Sequence, residues 1–230
     1  MEITIGSLLE GAARAKGAVA VIDVFRAFTT AAVVLANGAA RIVMVGGADE
    51  ALELRGRGVG SMCMGEVGGV APAAFDFGNS PLAVSAVNFA GCSVIQRTSA
   101  GTQGIVAASA QASRLYAASL VTAAATAGAL AAAGEEVWLV AMGEDAVRRS
   151  DEDELCALHL RQLLLGRPGA AAALREVILA GADAGRFLDP AKPWLPAGDL
   201  GIALDIDRYG FAVRVTAEDG LLVARREAVA

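Results

Sequence analysis

Aromatic side chains are scarce in this sequence, 5% of 230 residues, although 55% of the residues are hydrophobic. A core of that composition is made of Ala, Val, Leu and Ile, which suits helices packed closely on a sheet. Histidine occurs once, as His159 in LCALHLRQLLL, where it reads as a packed or surface helix residue and not as a base. The three cysteines, Cys63, Cys92 and Cys156, are odd in number and share no metal-ligand spacing, which excludes a disulfide framework and a zinc site. They read as buried thiols in a reducing compartment. Basic residues are outnumbered, 19 Lys and Arg against 25 Asp and Glu, and no basic arm offsets the net charge of −6. Nucleic-acid binding, which neutralises phosphates with a basic face, is therefore not expected.

A membrane span is also missing. Residues 115–133 are uncharged, but they are mostly Ala, Thr and Ser with Gly128 among them, too weakly apolar to favour a bilayer over a sheet-helix core. The opening MEITIGSLLEGAARAKG carries Glu2 and Glu10 and no basic-then-apolar export pattern, so a cytoplasmic protein is expected.

What is present is alternation of strands and helices. The organising stretch is VAVIDVFRAFTTAAVVLANGAARIVMV. Residues 19–22 form an apolar run that reads as a buried strand, Asp23 ends it, and Arg26, Thr29 and Thr30 open a helix that stops at Asn37-Gly38. Residues 41–45 read as the next strand, completing a βαβ unit with charged groups at its first corner. Ligands of open α/β sheets collect outside the carboxyl ends of strands, and helix N-termini favour anions. A weak edge strand over 1–5 and a short helix over 6–16 precede this unit.

Beyond it the spacing predicts a helix in GGADEALELRGRG, a short strand over 62–64 delivering Glu66, a shaped loop VAPAAFDFGNSP and a helix over 82–87. A strand over 93–97 runs into TSAGTQG and a helix. A strand over 117–121, a helix over 122–133 and a strand over 137–142 follow, then an acidic cluster before a helix over 155–165. This order predicts an α/β fold, three-layer α/β/α, with a largely parallel central sheet. One domain is expected over 1–230, with 168–230 as an appended helix and hairpin that turns at Asp219-Gly220.

Four acid-bearing places stand at predicted strand ends or loops: Asp23, Glu66, Asp76 and the pair Glu152-Asp153. Carboxylates without His or Cys partners suit a hard cation such as Mg²⁺, which keeps waters for a phosphate-bearing substrate. Arg26 and Arg97 can grip an oxyanion, and TSAGTQG and FGNSP offer N–H and hydroxyl donors. These are parts for hydrolysing a phosphate ester. Competing structural roles are helix capping by Asp23, a solvated helix start for Glu152 and Asp153, and an Asp23 to Arg26 ion pair that locks the corner.

Read jointly, VIDVFRAFTT, GEVGGVAPAAFDFGNSP, RTSAGTQG, and SLVTAAATAGAL followed by Glu152-Asp153 resemble, in that order, the 2-phosphosulfolactate phosphatase family over residues 19–165. The resemblance implies a three-layer α/β/α fold and a Mg²⁺-dependent phosphomonoesterase. Its reaction cleaves 2-phospho-3-sulfolactate to 3-sulfolactate on a route to coenzyme M. It places Asp23, Arg26, Thr30, Glu66, Asp76, Asn79, Ser80, Gly101, Thr102, Glu152 and Asp153 at motif positions. Asp23, Glu66, Asp76, Glu152 and Asp153 are the expected metal ligands. Arg26, Asn79, Ser80, Arg97, Thr98, Ser99, Gly101 and Thr102 are expected to bind substrate, and Asp23, Arg26, Thr30, Glu66 and Asp76 to act in catalysis. Val67 stands where the family has Arg, Ala100 where it has Asn, and Thr122 where Asn is common; Arg97 is the cation expected to compensate. The partner is a small phosphorylated organic acid, with a homo-oligomer as a further expectation. The alternatives are a degenerate member that binds a phosphorylated metabolite without turnover, and a phosphatase for another small organic phosphate.

Overall fold

Residues 18–22 alternate in direction and are buried on both sides: Val19 and Val21 face one hydrophobic cluster, Ala18, Ala20 and Ile22 another. A strand covered on both faces needs helices on both faces. The computed structural model, which describes residues 1–134 and 136–229, has that layering. In chain order it comprises β1 (Ile3–Ser7), α1 (Leu8–Arg14), β2 (Gly17–Ile22), α2 (Ala27–Ala36), β3 (Arg41–Met44), α3 (Ala48–Gly56), β4 (Met62–Gly65), α4 (Pro81–Val84), β5 (Ser93–Arg97) and α5 (Gly101–Ala108). There follow β6 (Ala112–Ala118), α6 (Ala123–Ala133), β7 (Val137–Ala141), α7 (Asp151–Leu164), α8 (Ala171–Ala180), α9 (Ala182–Gly185), α10 (Gly198–Ala203), β8 (Phe211–Glu218) and β9 (Leu221–Ala228). One cluster gathers α1, α2 and α5 on one face; α6 and α7 cover part of the other, and α3 the rest. Every residue of α2 from Ala27 to Leu35 is buried, as suits a helix with no charged residue whose two hydroxyls, Thr29 and Thr30, find carbonyl partners.

Among the described residues nine strands form one sheet, in the order β1-β7-β2-β6-β8-β9-β3-β5-β4. Strands β1, β7, β2 and β6 are mutually parallel, and so are β3, β5 and β4. Between these halves lies the antiparallel hairpin β8-β9, paired to β6 on one side and to β3 on the other. Three antiparallel pairings in a row reverse the sense of the second half relative to the first. In a flat sheet the carboxyl ends of the halves would lie on opposite edges. Neighbouring strands, however, rotate by about 20–25°, so the six steps from β2 to β4 accumulate roughly 120–150°. Twist thus largely undoes the reversal and brings the ends of β2 and β4 to the same side. The cross-links agree: Gln96 Nε2 donates to Ala27 O at 2.9 Å, and Thr30 Oγ1 to Asn79 O at 3.1 Å.

The expected three-layer α/β/α fold is therefore the one found, with a mostly parallel sheet. The hairpin does turn at Asp219 and Gly220, both at positive φ, but it is no appendage: it fills the middle of the sheet. The strand expected over 117–121 is β6, which runs from Ala112 to Ala118; the polar Ser113 and Arg114 mask its start in the sequence, and Leu120–Thr122 is a 3-10 turn. The helix expected from Leu155 starts at Asp151, so the acidic cluster is its first turn, where the helix dipole favours negative charge. Cys63 and Cys156 are buried and Cys92 is half-buried; all three are free thiols. Among the described residues no helix is long and apolar enough to cross a membrane.

Candidate active site

A cavity of about 230 Å³ opens where β2, β4 and β7 end. Asp23, the first residue after β2, lies in its floor, 5% exposed. Its Oδ1 accepts from Ala27 N at 2.9 Å, which is the capping role, and the Gly101 N–H also favours its ionised form. Burial outweighs both, with Glu66 adding repulsion, and pushes its pKa up to about 7. The approach of α5 to this carboxylate needs glycine: a Cβ on Gly101 would lie 2.9 Å from Asp23 Oδ2 and 3.0 Å from Ala27 Cβ.

Glu66 reaches the cavity from the other half of the sheet. Gly65, at φ 129°, turns the chain where any Cβ would meet Arg97 O at 1.8 Å. The Glu66 carboxylate is held on both oxygens, Oε1 by Ser99 N at 2.6 Å and Oε2 by Gly69 N at 2.6 Å and Ser99 Oγ at 3.0 Å. Glu152 and Asp153, neighbours in the first turn of α7, differ. Asp153 accepts from Val24 N at 2.7 Å and Gly143 N at 2.8 Å, tying the ends of β2 and β7 together, and does not line the cavity. Glu152 lines it, and its buried Oε2 has no hydrogen-bond partner. Burial, then the charges of Asp183 and Asp23, push the Glu152 pKa up to about 8. Asp153 is likewise raised, by burial and by Glu152 and Asp23.

Other expected residues are placed elsewhere. Asp76 does not join Asp23 and Glu66: its Oδ2 accepts from Cys63 N at 2.8 Å and from Arg55 at 3.1 Å, which fastens its own loop to β4 and α3. Arg26 is buried at the cavity wall, but its partner is Asp199, at 2.8 Å, with Trp194 O at 2.7 Å, and not Asp23. Ser80 Oγ donates to the same Asp199 at 2.6 Å. Arg97, the cation expected to compensate for Val67, is bonded within its own half of the sheet. It binds Glu66 O at 2.7 Å, Gly46 O at 3.2 Å and Ser99 Oγ at 3.2 Å, and it does not line the cavity. In the loop expected to cradle an anion several donors are already engaged: Thr98 and Thr102 bond each other and Ser99 bonds Glu66. Thr30 ties α2 to the loop before α4. Asn79 does line the cavity, and its buried Oδ1 has no partner.

Several lining residues were not expected from the sequence. Glu144, Asp145 and Asp183 add acid, and Arg186, Phe187, Lys192 and Trp194 come from the segment after α9. Phe187 stacks edge-on against Phe25, with centroids 5.1 Å apart, so this segment roofs the Asp23 corner. The one signal for it was FLDPAKPWLPAGDLG, where aromatic, basic and Pro residues crowd a stretch with no regular period. Among the described residues no group of three or more His, Cys, Asp or Glu is arranged to hold a metal ion.

Fold and cavity define an α/β protein with a buried carboxylate cleft at the carboxyl ends of its strands, a class suited to cation-assisted chemistry on small anions. The 2-phosphosulpholactate phosphatase family model matches residues 5–185. A Deinococcus radiodurans protein named as a probable 2-phosphosulfolactate phosphatase is 35% identical over 194 residues, covering 81% of this chain and 80% of that protein. Proteins of the same name from Thermus thermophilus and Carboxydothermus hydrogenoformans are each 38% identical over 128 residues, 55% and 56% of this chain and 53% and 52% of theirs. The chain belongs to the 2-phosphosulfolactate phosphatase family.

Proposed function

We propose that this protein is a phosphoric monoester hydrolase that converts 2-phospho-3-sulfolactate and water to 3-sulfolactate and phosphate with the help of Mg²⁺. Family membership supports the reaction, and one observation supports the cation: Asp23 and Glu152, both buried at the cavity, are held above the ordinary carboxylate range, and Glu152 Oε2 has no partner. A divalent ion relieves all three features at once. Mg²⁺ is commonly bound by one or two carboxylates plus waters and substrate phosphate, and Asp23 and Glu152 would be that pair.

In this reading Asp23 and Glu152 hold the ion, which when bound supplies positive charge to the phosphoryl oxygens. Asp153 keeps that corner rigid through Val24 N and Gly143 N. Glu66, fixed by Ser99 and Gly69, orients water at the opposite wall, and the Asn79 amide faces the substrate. The roof at Phe187 and Trp194 limits access of bulk water. Catalysis of this kind rests on positioning and charge. The free thiols suit a cytoplasmic enzyme, with its product feeding coenzyme M formation. Phosphate release is the test, measured on 2-phospho-3-sulfolactate and a panel of phosphomonoesters with Mg²⁺ or with chelator. Metal-dependent release, fastest on the sulfolactate ester, is expected; binding without turnover on any substrate would refute hydrolysis.

A further inference from the structure

The substrate proposed above carries three acidic groups, yet the cavity that receives it is lined with Asp23, Glu66, Glu144, Asp145 and Glu152. Such a ligand needs cations beyond one metal ion. Three basic side chains line the cavity. Arg26 is engaged by Asp199 and Trp194 O, and Arg186 is paired with Glu144 and Asp183. Lys192 makes no ion pair among the described residues. Its backbone is nevertheless fixed by two linked turns: Lys192 N donates to Asp189 O at 3.0 Å and Leu195 N to Lys192 O at 2.9 Å. A side chain so placed, half-buried at the cavity and without an ion pair among the described residues, is free to meet a ligand. Lys192 also lies beyond residues 5–185, the span matched by the family model.

We infer that Lys192 determines specificity by receiving the sulfonate of the substrate, while the phosphoryl end lies at Asp23 and Glu152. An ammonium presents three rotatable donors, which match a tetrahedral sulfonate; a planar carboxylate is better met by the fork of a guanidinium. The assignment rests on the phosphatase reading, but it can fail separately.

Wild type, Lys192→Met and Lys192→Arg are compared on 2-phospho-3-sulfolactate and on 2-phospholactate, which lacks the sulfonate, and 3-sulfolactate binding is followed by calorimetry. Lys192→Met is expected to raise KM for the sulfonated ester about ten- to hundredfold, the range of one charge-assisted hydrogen bond, with kcat little changed. KM for 2-phospholactate stays level, 3-sulfolactate binding weakens in step, and Lys192→Arg keeps most of both. Equal shifts on the two esters, or no shift, overturn the inference. So does wild type that fails to bind 3-sulfolactate. If wild type binds 3-sulfolactate through Lys192 but hydrolyses neither ester, the phosphatase reading falls and this one stands.

Discussion

Each parallel half of the sheet delivers acid to the cavity, and the two deliveries differ in kind. Glu66, at the end of β4, has both oxygens engaged by N–H and O–H donors from its own half. Asp23 and Glu152, from the end of β2 and the first turn of α7, are as deeply buried but poorer in donors. Burial raises Asp23 to about 7 and Glu152 to about 8, and a cation beside them would favour their ionised forms. The half β1-β7-β2-β6 thus supplies the carboxylates proposed to hold the ion. The half β3-β5-β4 is prepared to stay still.

The largest break in this comparison should come from Asp23→Asn. It removes charge where the ion is proposed to sit, and kcat/KM should fall by about 10²–10⁴-fold with an unchanged far-UV spectrum. Asp199→Asn tests the roof. It leaves Arg26 buried without its anion, and urea unfolding should show about 3–5 kcal/mol of lost stability. Glu66→Gln puts an amide where two N–H groups now donate; as a fault in positioning it should cost about 10–100-fold in kcat/KM.

The pH dependence of stability sharpens the contrast. The Glu152 carboxyl is raised in the folded protein, from 4.5 to about 8. Its contribution is therefore fully present below about pH 4.5 and is lost as pH rises towards 8. In chelator, Glu152→Gln should gain on wild type across that window, by about 1 kcal/mol per pH unit, and added Mg²⁺ should close the gap. Thermal unfolding of both proteins from pH 5 to 8 measures it; parallel curves would show that Glu152 is not frustrated. Asp76→Ala should do least, losing about 0.5–1.5 kcal/mol of stability and leaving kcat/KM within about twofold.

Much of this was legible in the order of residues, and the illegible part has a physical cause. Asp23 could be found because a two-sided apolar strand ending in an acid before a helix start is a local pattern. Asp76 sits in an equally distinctive motif, but whether its carboxylate turns to the cavity or caps its own loop depends on Arg55 and Cys63 N, which spacing does not place. Glu152 and Asp153 are adjacent, and consecutive helical side chains point about 100° apart, so one reaches the cavity and the other the corner behind it. Arg97 and the Thr98 to Thr102 loop looked like anion donors because composition shows what a group can bind and not what already binds it. The hairpin's turn was local and readable. Its seat between β6 and β3 is a long-range property, and so is the meeting of Arg26 with Asp199.

That seat has a consequence for biosynthesis. Until residues 211–228 have left the ribosome, β6 and β3 each present an unpaired edge, and the two parallel halves have no sheet contact with each other. Before the hairpin is in place, the halves that carry Asp23 and Glu66 are joined only by contacts outside the sheet, such as Gln96 to Ala27 O and Thr30 to Asn79 O, and the seating of the hairpin makes them one sheet. A nascent chain stalled before the hairpin would carry two sticky borders, an invitation to chaperones or to self-association.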